Sequence, residues 1–156
     1  MKIDWKRLII SLIISLGTGG LSALLISDNI SIYKTINKPP FAPPAILFPV
    51  VWTLLYLLMG ISSYLIWTAK NNNQEKANAL FVYGIHLAVN FLWPIIFFNL
   101  RAFLFAFIWI LLLLFLIITV LILFKKISKT AALLLLPYLA WVTFATYLNL
   151  AIFILN

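Results

Sequence analysis

The sequence predicts an all-α integral membrane protein, a five-transmembrane-helix bundle with a long proline-rich first loop that either acts as a lid over a pocket or packs on its own helix. Three observations predict it. Hydrophobic residues make up 65% of the 156 positions and charged residues only 9%, and the mean hydropathy of +1.16 lies far outside the range of soluble domains. The few charges punctuate the chain at intervals, leaving five apolar stretches near or above the ~20 residues that cross a bilayer. Finally, five of the seven prolines lie between positions 39 and 49, where fixed φ angles and missing donors dictate a stiff loop rather than a helix interior.

The predicted helices cover about 7–26, 45–69, 77–99, 102–124 and 130–155, within one domain spanning 1–156. Lys6 and Arg7 precede the first apolar run, as in a signal peptide. That run lacks a small-x-small cleavage site and exceeds a typical signal core, so it is read as a spanning helix. Ser15, Gly19 and Ala23 recur there at four-residue spacing, with Gly17, Gly20 and Ser22 nearby, a pattern that lets another helix approach closely. The connection from Asp28 to Lys38 is long for so short a chain, and leads into Pro39-Pro40-Phe41-Ala42-Pro43-Pro44.

Pro49 is compatible only with the start of the second helix. Below it, Trp52, Tyr56 and Met59 fall at i, i+4 and i+7 on one face. Lys70 to Lys76 reads as a solvated turn. The third and fourth helices are separated by little more than Asn99-Leu100-Arg101. A continuous helix over 77–124 would be about 70 Å long at ~1.5 Å per residue, so the chain must turn there. Apart from Trp109 and Thr119, the fourth helix is uniformly apolar and reads as a lipid-facing wall. Gly84-x-x-x-Ala88 in the third helix suits a crossing within the protein or between copies.

With five spans, the N-terminus shares a side with the second and fourth loops, which together hold Lys2, Lys6, Arg7, Lys70, Lys76, Lys125, Lys126 and Lys129. The other side has Lys34, Lys38 and Arg101. Eight cations against three place the N-terminus in the cytoplasm and the C-terminus outside. The net charge of +8 is thus explained by topology. The bases form no aromatic-interleaved strip, and no nucleic-acid partner is predicted. There is no cysteine, which removes disulfides and thiolate metal sites.

Polar residues inside the spans carry the functional information. His86, Asn90, Trp93 and Phe97 recur along one face of the third helix. Asn90 must face protein or ligand, because an uncompensated amide in hydrocarbon is expensive. It either lines a pocket or bonds a neighbouring helix or the carbonyl freed by Pro94. His86 reads as a packed core residue, since haem or metal ligation needs partners that the sequence does not supply. In the fifth helix, Tyr138, Trp141, Ala145 and Leu148 make another aromatic face opened by a small residue. Trp52, Tyr56, Asn90, Trp93, Tyr138 and Trp141 either line one cavity or belong to the interfacial aromatic belt, which Trp5 and Trp67 suit well.

Tyr33, Lys38-Pro39-Pro40-Phe41-Ala42-Pro43-Pro44, Pro49-Val50-Val51-Trp52-Thr53-Leu54-Leu55-Tyr56, Asn90-Phe91-Leu92-Trp93-Pro94 and Pro137-Tyr138-Leu139-Ala140-Trp141 resemble, in order and spacing, the signature blocks of the translocator protein family. Its members are also called tryptophan-rich sensory proteins or peripheral-type benzodiazepine receptors (TspO/MBR). The resemblance implies a homodimer of five-helix bundles whose pocket is closed by the first loop. It implies protoporphyrin and haem-type tetrapyrroles, sterols and benzodiazepine-site drugs as ligands. By matching positions it assigns the pocket to Tyr33, Trp52, Tyr56, Asn90, Trp93, Trp141 and Ala145, to which the aromatic face of the fifth helix adds Tyr138. The sterol-recognition motif of animal members is not met, since Leu150 and Ile154 stand where a tyrosine and a basic residue are required. Specific cholesterol recognition is therefore not expected.

The leading expectation is a membrane receptor or transport protein that binds tetrapyrroles and benzodiazepine-site drugs, in a bacterial plasma membrane. One alternative is a light-dependent porphyrin-degrading enzyme using Trp52 and Trp141, as implied by some bacterial relatives; another is a regulatory membrane partner protein. Thermal acid–base catalysis is not expected. Asp4, Asp28 and Glu75 are loop or terminal residues, and no nucleophile–base pair or metal cluster is present, so neither a cofactor nor a metal is predicted.

Overall fold

In the computed structural model, described for residues 3–156, the chain is helical with no strand among the described residues. Lys2, counted above among the cations of the N-terminal side, lies outside the described residues. The helices are α1 (Trp5–Ile26), α2 (Ile32–Thr35), α3 (Leu47–Thr68), α4 (Asn73–Pro94), α5 (Phe103–Ile127), α6 (Lys129–Leu134) and α7 (Leu136–Leu155), with a π turn at Ile95–Asn99 between α4 and α5. Among the described residues, five spans are long and apolar enough to cross a membrane: Trp5–Ile26, Leu47–Thr68, Asn73–Asn99, Phe103–Ile127 and Lys129–Leu155. The chain is an integral membrane protein built as a five-span bundle.

The helix limits outrun the apolar runs where polar residues stabilise the ends. Asp4 caps α1 by accepting from the Arg7 N–H at 3.1 Å, and Asn72 caps α4 by accepting from the Gln74 N–H at 2.8 Å, each satisfying a donor that the first turn leaves free. At the other end of the bundle's longest helix, Lys125 and Lys126 extend α5 to Ile127, where cations complement the C-terminal helix dipole.

Two spans are interrupted, both at prolines. Pro94 closes α4, and the chain then widens into the π turn, with Leu100 N–H donating to Ile95 O at 3.1 Å and Ala102 N–H to Ile96 O at 3.3 Å. Arg101 completes the reversal at φ 52°. In the last span, Pro137 offers no N–H to the preceding turn, and the helix breaks at Leu135, whose N–H bonds Ala132 O at 3.1 Å. Residues read as one helix over 130–155 are therefore two helices in line.

Small residues set the closest contacts. On α1, Ser11, Ser15 and Ser22 are buried, and Ser15 Oγ donates to Tyr56 O at 2.6 Å. Gly60 of α3 presses on the α1 backbone: a Cβ there would lie 3.2 Å from Leu12 Cα and 3.3 Å from Ser11 O. The Tyr56 ring covers Gly19, leaving no room for a side chain. Gly17, Gly20 and Gly84, by contrast, face open space, so the Gly84-x-x-x-Ala88 pattern makes no crossing within this chain. The fourth span, read as a lipid-facing wall, is only half that. Ala106, Ile110, Leu113, Ile117, Val120 and Phe124 are buried, one stripe at alternating four- and three-residue steps that faces the bundle, while Phe115 and Ile122 on the opposite side are exposed.

Gly60→Ala should lower the thermal unfolding midpoint in detergent, by the equivalent of ~1–3 kcal/mol, because the α1 backbone must withdraw. Gly84→Ala should leave the midpoint unchanged or raise it. Equal behaviour of the two variants would remove the α1–α3 seam from the account of stability.

Candidate functional site

A cavity of about 130 Å³ opens between α1, α3, α4 and the α1–α3 connection. The connection contributes Ile30, Tyr33 and Ala45. Its conformation is held by short-range bonds: Tyr33 Oη donates to Pro43 O at 2.8 Å, and Lys38 Nζ donates to Tyr33 O at 2.8 Å while standing 5.1 Å from the Tyr33 ring centre. Burial pushes the Tyr33 phenol above its ordinary value of 10.0, so its donated O–H persists at neutral pH, and the bond's contribution is lost only as pH rises past that value. Residue 37 is clasped to the end of α7. Asn37 N–H donates to Asn156 Oδ1 at 2.9 Å, and Asn156 Nδ2 donates back to Asn37 O at 2.9 Å.

Aromatic rings form the walls. Phe48, Pro49, Trp52 and Tyr56 come from α3, Trp93 and Pro94 from α4, and Phe98 from the π turn. Trp52 and Tyr56 lie with ring centres 5.7 Å apart, and Tyr33 meets Phe48 edge-on at 5.0 Å. The remaining wall is α1, through Gly19, Ser22, Ala23 and Ile26. The spacing of Gly19, Ser22 and Ala23 in the sequence predicts a packing seam. Ser22 and Ala23 also make the space, because short side chains opposite large rings leave a hollow, while Gly19 lets the Tyr56 ring close against α1. Phe48 and Phe98 line the cavity too, although no periodic face in the sequence marks them.

Asn90 supplies the cavity's one amide side chain. It does not bond its own helix. Asn90 Nδ2 donates to Tyr138 Oη at 2.7 Å, and Asn90 Oδ1 accepts from Tyr56 Oη at 3.2 Å, so three spans meet at one side chain. The relay continues to His86, whose Nε2 lies 2.8 Å from Tyr138 Oη and whose Nδ1 lies 3.2 Å from Tyr83 O. A carbonyl only accepts, so Nδ1 carries the proton and Nε2 accepts from Tyr138. Every bond then has one direction: Tyr56 to Asn90, Asn90 to Tyr138, Tyr138 to His86, His86 to Tyr83 O. His86 is 1% exposed and both its nitrogens are engaged, which makes it a supporting residue of the polar floor.

Of the residues predicted from sequence, Tyr33, Trp52, Tyr56, Asn90 and Trp93 border this one cavity. Tyr138, Trp141 and Ala145 of α7 stand behind it. Tyr138 packs against Trp52 with ring centres 6.1 Å apart, and Trp141 packs on the far side of Phe48 at 5.9 Å. The Trp141 indole N–H is buried without a hydrogen-bond partner among the described residues. Ala145 O accepts from Asn149 Nδ2 at 2.8 Å, and Asn149 Oδ1 accepts from the Trp93 indole at 3.2 Å. The α7 residues thus buttress the wall through Phe48, Trp52 and Trp93. Among the described residues no three His, Asp or Glu side chains gather as a metal site.

The fold and this cavity define a five-span membrane protein with an aromatic chamber and a single polar floor. Comparison with known proteins then gives the family: a profile of the TspO/MBR family matches residues 9–155, and the chain belongs to that family. It is 38% identical over 151 residues to the tryptophan-rich protein TspO of Archaeoglobus fulgidus, covering 96% of this chain and 97% of that protein. It is 36% identical over 136 residues to the translocator protein of Homo sapiens, covering 86% and 80%. It is 30% identical over 156 residues to the tryptophan-rich sensory protein of Cereibacter sphaeroides, covering 100% and 95%.

Tyr138→Phe deletes the centre of the relay and strands Asn90 Nδ2 and His86 Nε2. It should lower the thermal midpoint by the equivalent of ~1–3 kcal/mol. Tyr33→Phe loses one loop bond and should shift the midpoint less. A Tyr138→Phe protein as stable as the parent would show that the relay is not structural.

Proposed function

We propose that this protein is a receptor or transport protein that binds flat tetrapyrroles, protoporphyrin and haem among them, together with benzodiazepine-site drugs, in the cavity beneath the α1–α3 connection. The observation that carries the reading is the convergence of Tyr33, Phe48, Trp52, Tyr56 and Trp93 on one apolar space with a single amide at its floor. Rings at these spacings favour an aromatic guest by stacking and edge contacts, and Asn90 gives it one directional hydrogen bond. Translocator and sensory names among similar proteins support the same class.

A volume of about 130 Å³ is below the roughly 300–1,000 Å³ of small-molecule pockets. In this proposal the connection therefore acts as a lid that moves when a macrocycle enters. The Tyr33–Pro43 bond, the Lys38–Tyr33 bond and the Asn37–Asn156 clasp hold it shut. The distribution of cations supports a bacterial plasma membrane orientation with the N-terminus cytoplasmic and the lid outside.

Titrating the purified protein with protoporphyrin and following tryptophan fluorescence tests the reading. Saturable quenching is expected, with Trp52→Leu binding roughly threefold to tenfold more weakly. Absence of saturation, or isotherms that neither Trp52→Leu nor Asn90→Leu alters, overturns it. Illumination of the same samples separates binding from breakdown: loss of porphyrin absorbance that requires Trp52 and Trp141 identifies a light-driven enzyme.

A further inference from the structure

A second groove, of about 240 Å³, lies on the outside of the bundle where α5 runs beside α6 and α7, lined by Leu121, Lys125, Lys129, Ala132, Leu133 and Leu136. It is remote from the aromatic cavity and shares no residue with it. Its polarity is ordered along the bundle. Both lysines stand at the end where α5 finishes and α6 begins. Leu121 lies one helical turn further into the membrane on α5, and Leu133 and Leu136 lie one and two turns further in along α6 and α7. Ala132, short and buried, forms the depression between them.

Lys125 and Lys129 are exposed, and neither forms an ion pair or side-chain hydrogen bond among the described residues. The acids Asp4, Asp28 and Glu75 are outside the groove. Two free ammonium groups above a strip of leucine match one occupant in both charge and shape: a phosphate-bearing headgroup continued by an acyl chain.

We propose that this groove is a specific site for an anionic phospholipid of the leaflet on the lysine-rich side. Its phosphate sits between Lys125 and Lys129, and one acyl chain lies along Leu121, Leu133 and Leu136. Basic pockets between spans recognise such headgroups in this way, each lysine contributing by its nearness to the phosphate. The lipid would bridge α5 to α6 across the Ser128 junction, where the two helices are joined without a loop.

The test uses the full chain in nanodiscs or mixed micelles containing either phosphatidylglycerol or phosphatidylcholine, with retained lipid counted by native mass spectrometry. The parent should retain phosphatidylglycerol selectively and melt at higher temperature with it. Lys125→Gln combined with Lys129→Gln should weaken that retention on the order of 25-fold. Lys6→Gln combined with Lys70→Gln, which removes the same charge from the same side, should leave it nearly intact. Glycerol phosphate, a headgroup without tails, should neither bind nor stabilise. Equal retention of the two lipids by the parent overturns the proposal, as does equal loss in both double variants, which would reduce the effect to general surface potential. Stabilisation by glycerol phosphate alone would also overturn it, by replacing a lipid groove with a simple anion site.

Discussion

Polar side chains inside hydrocarbon must find their partners within the protein, and the relay from Tyr56 through Asn90 and Tyr138 to His86 is where this chain meets that demand. Tyr56 donates at its head and Asn90, Tyr138 and His86 each both accept and donate, so the relay has one polarity from end to end. It ties α3, α4 and α7 together at a single depth. Packing between apolar helices in lipid has little hydrophobic driving force, since lipid tails are as apolar as leucine. A buried relay therefore selects one arrangement of the three helices from many that would fill space equally well, and the aromatic cavity inherits its shape from that choice.

The five spans were legible because charges are rare enough to act as punctuation. Lys70 to Lys76, Arg101 and Lys125 to Lys129 mark the reversals, and the apolar lengths between them leave little freedom. The interruptions were less legible. Pro94 and Pro137 signal irregularity, but whether a proline yields a kink, a π turn or a break depends on which neighbouring groups satisfy the freed carbonyls. Here Ser22 of α1 donates to Phe91 O at 3.0 Å beside the π turn, a contact that no local pattern in α4 announces. The short α2 helix within the first connection was also invisible, because four residues carry no period to detect.

The site was legible to the extent that periodicity marks a face. The spacing of Trp52 with Tyr56, and of Asn90 with Trp93, correctly puts each pair on one side of its helix, and both pairs border the cavity. Periodicity does not say what lies opposite. The matching wall is the small-residue stripe Gly19, Ser22 and Ala23, which in sequence is indistinguishable from a packing seam. In α7 the same reasoning finds a real aromatic face, but Phe48 and Trp52 stand between it and the hollow. Which rank of rings is first depends on helix rotation, and that is a tertiary property.

The Asn37–Asn156 clasp has a mechanical consequence for the covering segment. Closing a chain segment carries an entropy that grows with its contour, so fastening the connection near its midpoint replaces one long arc by two short ones. The stretch before Asn37 includes α2 and Tyr33; the stretch after it is stiffened by Pro39, Pro40, Pro43 and Pro44. The two arcs are also stitched to each other, Tyr33 Oη to Pro43 O at 2.8 Å and Lys38 Nζ to Tyr33 O at 2.8 Å, so displacement of one arc pulls on the other and on the end of α7.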